Sequence, residues 1–147
     1  MATILLPPDF KEFLRLLNSS KADYLLIGGY AVNYYGYPRA TVDMDVWVGI
    51  DPGNAEKVAA VLQAFGFAEA EAKMFREPRK VVRMGVPPLR IEILTSVSGV
   101  EFSQAFPRRV HVNIDGVQVN LICFEDLKVN KRMSGRSKDM ADLEQLE

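Results

Sequence analysis

Four apolar residues, Tyr24-Leu25-Leu26-Ile27, run straight into Gly28-Gly29. A second apolar run, Val46-Trp47-Val48, opens on Asp43-Met44-Asp45, and Glu92 interrupts a third, Ile91-Glu92-Ile93. This alternation of short apolar runs, a glycine turn and charges inside strands limits the possible folds more than any other feature. Short apolar runs bounded by turn residues read as strands. Between the glycines and Asp43 there is room for one short helix and a return, so the first two strands are neighbours. Side chains alternate faces along a strand, which sends Asp43 and Asp45 out of the same side. Aspartate disfavours strands, and a charge in an otherwise buried strand needs a partner or a metal. Two carboxylates on one strand face, joined by a third from another strand, can hold Mg²⁺ or Mn²⁺ through hard oxygen ligands. For Glu92 the competing reading is an ion pair with Arg90, which shares its strand face. A glycine pair at a strand-to-helix turn can cradle phosphates with backbone N–H groups, or serve only the turn.

The rest of the chain supplies the frame. Pro7-Pro8-Asp9 precedes a helical pattern with Phe10, Phe13, Leu14 and Leu17 on one face, ended by Asn18-Ser19-Ser20. Asp9 as N-cap and Glu12 three residues later match a capping box. After the strand at 24–27 the pattern predicts a helix over 29–35, broken by Gly36-Tyr37-Pro38, and a strand over 42–48. Asp51-Pro52 opens a helix with Val58, Val61, Leu62 and Phe65 as its apolar side, and Gly66 stops it. Strands over 80–84 and 90–94 flank a turn at 85–88. Residues 110–114 and 117–122 alternate around Asp115-Gly116, a hairpin signal. Two helical stretches, 125–133 and 137–146, are split at Gly135. This order predicts a single α/β (α+β) domain over 1–147: a mixed sheet, flanking helices and a C-terminal helix pair. Its parts are an N-terminal helix (1–20), a core (24–94), and the hairpin with the last helices (108–147).

Composition narrows the function classes. The 147 residues are 48% hydrophobic and 25% charged, as expected for one domain with a real core. A net charge of −1 excludes a whole-molecule polyanion binder, so any nucleic-acid contact must be a local patch. One cysteine, Cys123, and one histidine, His111, exclude a disulfide framework and a structural zinc site. The expectation is a cytoplasmic protein with no signal peptide and no membrane span. Cys123 reads as an apolar filler and His111 as a surface residue. Lys128, Lys131, Arg132, Arg136 and Lys138 form a basic tail, either a solvated helix face or a set of phosphate contacts. Lys138 has the i+4 spacing to pair with Asp142. Tyr30, Tyr34, Tyr35 and Tyr37 cluster near the glycines and could stack on a base or simply pack.

Gly28-Gly29-Tyr30-Ala31, followed by Gly36, Arg39, Thr41, Asp43 and Asp45, closely resembles the signature of the DNA-polymerase-β-like nucleotidyltransferase superfamily. Arg90-Ile91-Glu92-Ile93-Leu94 matches its third element, with glutamate where aspartate is commoner. The tail, with Asn130-Lys131-Arg132, Gly135-Arg136, Lys138-Asp139 and Asp142-Leu143, resembles small bacterial and archaeal members, including toxin nucleotidyltransferases of abortive-infection systems. The resemblance covers roughly 24–147. It implies Mg²⁺-dependent (or Mn²⁺-dependent) transfer of a nucleoside monophosphate from a nucleoside triphosphate, ATP by default, with release of pyrophosphate. The acceptor would be a hydroxyl on RNA, protein or a small molecule. Asp43, Asp45 and Glu92 would be the catalytic residues and metal ligands. Gly28, Gly29, Arg39, Thr41, Lys131 and Arg136 would bind the nucleotide. A partner chain or a homodimer could complete the cleft. The alternatives are a non-catalytic regulator of the same fold, such as a toxin–antitoxin component, and a two-metal nuclease. The glycine turn argues against the nuclease, which has no triphosphate to cradle.

Overall fold

The computed structural model describes residues 4–36, 43–86 and 89–147. In chain order these form α1 (Pro8–Ser19), β1 (Tyr24–Ile27), α2 (Gly28–Tyr34), β2 (Asp43–Val48), α3 (Pro52–Phe65), β3 (Val81–Met84), β4 (Arg90–Leu94), α4 (Phe102–Ala105), β5 (Val110–Ile114), β6 (Val117–Leu121), α5 (Phe124–Ser134) and α6 (Ser137–Leu146). The strands make one sheet of order β3-β4-β2-β1-β6-β5. β1 runs antiparallel to β2 and parallel to β6, and β2 runs parallel to β4. The β3–β4 and β5–β6 hairpins flank this centre. The α/β architecture with a mixed sheet and a C-terminal helix pair is the one the sequence predicts.

All four residues of β1 are buried, so the core covers both faces of the sheet at its centre. α1 packs on α3 and on β6, and its Phe10, Phe13, Leu14 and Leu17 have no exposed surface. Burying side chains of this size stabilises by about 1.5–3 kcal/mol each. Phe13 meets Phe65 of α3 edge-on at 5.2 Å. The inward residues of β2 and β4 (Met44, Val46, Ile91, Ile93) close the same core. Their neighbours Asp43, Asp45, Arg90 and Glu92 alternate onto the opposite face, where they are only partly buried.

Local chemistry explains most boundaries. Asp51 Oδ2 accepts the Asn54 backbone N–H at 3.0 Å and caps α3, and Gly66 ends that helix at φ +117°. Asp115 (φ 50°) and Gly116 (φ 85°) make the tight turn between β5 and β6. The capping box predicted at Asp9 does not form. α1 begins two residues earlier, with Pro8 in its first turn and Pro7 as N-cap without a side-chain bond. Proline is pre-set for the first helical position, so Asp9 falls inside the first turn, where it only complements the helix dipole. α2 likewise starts at Gly28 rather than Gly29. The segment between β4 and β5, for which the sequence offered no element, holds the single turn α4 and a 3₁₀ turn at Phe106–Arg108. Phe102 stands edge-on to Trp47 at 5.2 Å and stacks on Phe106 at 5.3 Å. Among the described residues no helix is long and apolar enough to cross a membrane.

Candidate active site

Sheet register builds the site. Antiparallel pairing sets Ile27 opposite Asp45, and parallel pairing sets Asp45 opposite Glu92. Glu92 in turn faces Arg83 on β3. Residues paired across strands share a face, so Asp45 and Glu92 lie side by side at the point where β1 gives way to α2. One step along, Asp43 faces Arg90. Strand alternation and register thus bring Asp43, Asp45 and Glu92 together, as the sequence predicts.

Gly28 is the close approach that admits Asp45. Its φ is +69°, a region costly to any residue with a side chain. A Cβ built there would collide with Asp45 Oδ2 and stand 3.0 Å from Asp45 Cγ. The glycine therefore serves the carboxylate as well as the turn.

The electrostatics are tense. Burial pushes the Asp45 carboxyl up to about 6, and the charges of Glu92 and Asp43 add to it, while Lys138 and Lys131 pull it down. Arg90 partly neutralises the group: its Nη2 lies 2.8 Å from Asp43 Oδ2 and 3.2 Å from Glu92 Oε1. The Arg90–Glu92 pair that competed with the metal reading does form, and the same guanidinium also holds Asp43. Arg83 Nε sits farther off, 3.7 Å from Glu92 Oε1.

A cavity of about 890 Å³ opens over this face. Gly28, Gly29, Asp43, Asp45, Arg90 and Glu92 form one side, and Asn130, Lys131, Ser134, Arg136, Lys138 and Asp139 come from α5, α6 and their junction. The tail thus faces the carboxylates across the cavity. Its lysines are not equivalent. Lys131 is buried, with its Nζ 2.9 Å from Asp139 Oδ1 and 3.2 Å from Asp142 Oδ2. Ser134 Oγ donates to Asp139 Oδ2 at 2.5 Å, and Arg136 Nε donates to the same oxygen at 2.8 Å. Burial would raise the Asp139 pKa, but the hydrogen bonds from Ser134 and Lys131, the lysine charge and Arg136 outweigh it and hold it at about 2. Lys131 therefore ties α5 to α6. Asp142, which the i+4 rule paired with Lys138, has Lys131 as a partner. Lys138 is exposed, lines the cavity, and forms no ion pair among the described residues. Its charge acts on Asp45, and its position follows the turn at Gly135 (φ +68°).

Two tyrosines near the glycines pack. Tyr30 is buried edge-on to Phe10, and Tyr35 Oη donates to the Ile122 carbonyl at 2.7 Å. Tyr34 is 39% exposed. Arg39, Thr41 and Tyr37 lie outside the described residues. His111 is on the surface. Cys123 is half-buried, and burial raises its thiol pKa, which suits a filler better than a nucleophile.

Among the described residues no group of three His, Cys, Asp or Glu side chains is closed up as a ready-made metal cage. Arg90 spans two of the three carboxylates instead. Three carboxylates, hard oxygen donors of the kind a divalent cation takes, share one face, and burial, then the charges of Glu92 and Asp43, raises the Asp45 pKa.

A six-stranded mixed sheet with a glycine turn after β1 and carboxylates on β2 and β4 is a nucleotidyltransferase-type fold. Solved structures agree. TM1012 of Thermotoga maritima, assigned as a nucleotidyltransferase, superposes with a TM-score of 0.64 at 14% identity, covering 97% of this chain and 94% of its own. LnuA, a lincosamide antibiotic adenylyltransferase solved with lincomycin, gives 0.55 at 17% identity over 98% of both chains. An antigenic nucleotidyltransferase-like protein of Paracoccidioides brasiliensis gives 0.55 at 20% identity, covering 93% of this chain and 73% of its own. Among curated proteins no sequence match is found. Residues 9–147 match the family described as "Nucleotidyltransferase of unknown function (DUF6036)", and the chain belongs to that family.

Proposed function

We propose that this chain transfers a nucleoside monophosphate from a nucleoside triphosphate to a hydroxyl acceptor. The observation that carries the reading is the in-register placement of Asp45 beside Glu92, next to the Gly28 turn and under a cavity walled by cations. Asp43, Asp45 and Glu92 would hold Mg²⁺ or Mn²⁺. The bound cation would supply charge neutralisation at the phosphates and a more acidic acceptor hydroxyl. Gly28 and Gly29 would meet the triphosphate through backbone N–H groups, and Lys138 and Arg136 would face it from across the cavity. Lys131 would act by placing those two residues. Glu92 would accept the proton of the acceptor hydroxyl as its oxygen bonds to the α-phosphorus. The bond from that phosphorus to the β-phosphate oxygen breaks, and pyrophosphate leaves.

The acceptor follows from chemistry only as a hydroxyl. LnuA, an antibiotic adenylyltransferase matched over 98% of both chains, supports a small-molecule acceptor. The test is incubation with each α-labelled NTP and Mg²⁺, with total RNA, cell protein or a panel of small-molecule alcohols. The expected result is one labelled acceptor class, lost in Asp45→Asn. Failure of every NTP to label or bind would refute the enzyme reading and favour a binding module of the same fold.

A further inference from the structure

Arg90 sits within the carboxylate group rather than at its edge. Its Nη2 reaches Asp43 at 2.8 Å and Glu92 at 3.2 Å, two of the residues assigned above to a divalent cation. The contact is built into the sheet, because parallel register sets Arg90 opposite Asp43 and strand alternation puts Glu92 on the same face. The guanidinium is not saturated by these contacts: its Nε is buried and has no acceptor among the described residues. Its side chain remains 31% exposed and lines the cavity. A planar fork with donors to spare on a partly open side chain can move from one set of oxygens to another.

The geometry points to Arg90 as a resident cation that holds Asp43 and Glu92 when no divalent ion is bound. On this reading a metal ion must displace it, and the displaced guanidinium passes to the phosphates of the nucleotide. The inference rests on the metal assignment proposed above. It makes a specific demand: metal and nucleotide bind cooperatively, because the nucleotide gives Arg90 somewhere to go. A metal ion alone must break two charge-assisted contacts with no replacement for them. The site would then stay closed to free metal and open to metal with NTP.

The test is calorimetry with Mn²⁺ alone and with Mn²⁺ plus a non-hydrolysable ATP analogue. Wild type is expected to bind Mn²⁺ alone weakly and far more tightly with the analogue. Arg90→Gln is expected to bind Mn²⁺ alone about tenfold more tightly, the scale of one lost charge-assisted bond, and to lose most of the cooperativity. Arg83→Gln removes the same charge from the same face, at the longer 3.7 Å contact. It controls for the general field and should tighten Mn²⁺ by less than about threefold. Arg90→Lys keeps the charge but loses the fork, so it should fall between wild type and Arg90→Gln; it also carries the test if Arg90→Gln does not fold. Equal tightening in Arg83→Gln and Arg90→Gln would overturn the proposal, as would unchanged or weaker Mn²⁺ binding in both Arg90 variants. If the analogue restores Mn²⁺ binding in an Asp45-dependent way, the metal assignment survives that outcome. Absence of Mn²⁺ binding in every protein, with or without the analogue, overturns both.

Discussion

Replacing Asp45 with asparagine is expected to stabilise the protein at neutral pH while removing its activity. Burial, then Glu92 and Asp43, moves the Asp45 carboxyl from the ordinary 3.8 to about 6. The folded state therefore holds this proton more tightly than the unfolded chain does. Between those two values it binds more protons, and stability falls as pH rises. The site adds nothing below the lower value and its full penalty above the upper one. A displacement of this size corresponds to ~3 kcal/mol against the ionised form. Asparagine keeps the shape and carries no charge. Asp45→Asn should therefore match wild type near the acid end and exceed it by about 2–3 kcal/mol above neutrality. For a chain of this length that is a rise in Tm of roughly 5–10 °C. Urea unfolding of both proteins across pH in the presence of a chelator measures it, and the difference between the curves cancels groups common to both, including Asp139. Mg²⁺ added together with a non-hydrolysable NTP analogue should narrow the gap by stabilising wild type more than the variant. A difference that is flat with pH, or a variant less stable at neutrality, would refute the argument that three carboxylates strain this face.

The other predictions concern neighbouring residues. Gly28→Ala puts a methyl against the Asp45 carboxylate at φ +69°, so it should lose ~1–2 kcal/mol to backbone strain and also lose Mn²⁺ binding. Normal stability and binding in that variant would make the glycine incidental. Lys131→Met removes the cation shared by Asp139 and Asp142 and should cost about 3–5 kcal/mol in denaturant unfolding. Full stability with weakened nucleotide binding would return Lys131 to the phosphates. Lys138→Ala should leave the melting curve unchanged and weaken NTP binding by roughly tenfold or more in calorimetry; an unchanged affinity would remove Lys138 from the site.

Signals confined to a few neighbouring residues were legible in the sequence. β1 was legible at both ends because a short apolar run meets a glycine pair. Asp43, Asp45 and Glu92 were legible because strand alternation is a local rule and carboxylates within strands need a reason. Lys131 was not. Its partners lie on the next helix, across the break at Gly135, whereas the i,i+4 rule sees only one helix and offered Lys138 with Asp142. The start of α1 was misread because aspartate and proline compete for the first turn, and proline at the first helical position prevailed. α4 is a single turn, too short to show a period. Arg90 could be seen to share a face with Glu92; that it would also bridge to Asp43 depends on the β2–β4 register, which no local pattern reveals.

β2 crosses the boundary between water and core within a few residues. Asp43, Asp45 and Trp47 share one face of it, yet the two carboxylates are partly open while Trp47 is 1% exposed. The chain contains one tryptophan. Its intrinsic emission therefore arises at the dry end of the strand whose wet end carries the carboxylates. A cation or nucleotide that alters hydration or strand geometry at Asp45 has an unlabelled optical reporter two residues away, with no second indole to dilute the signal.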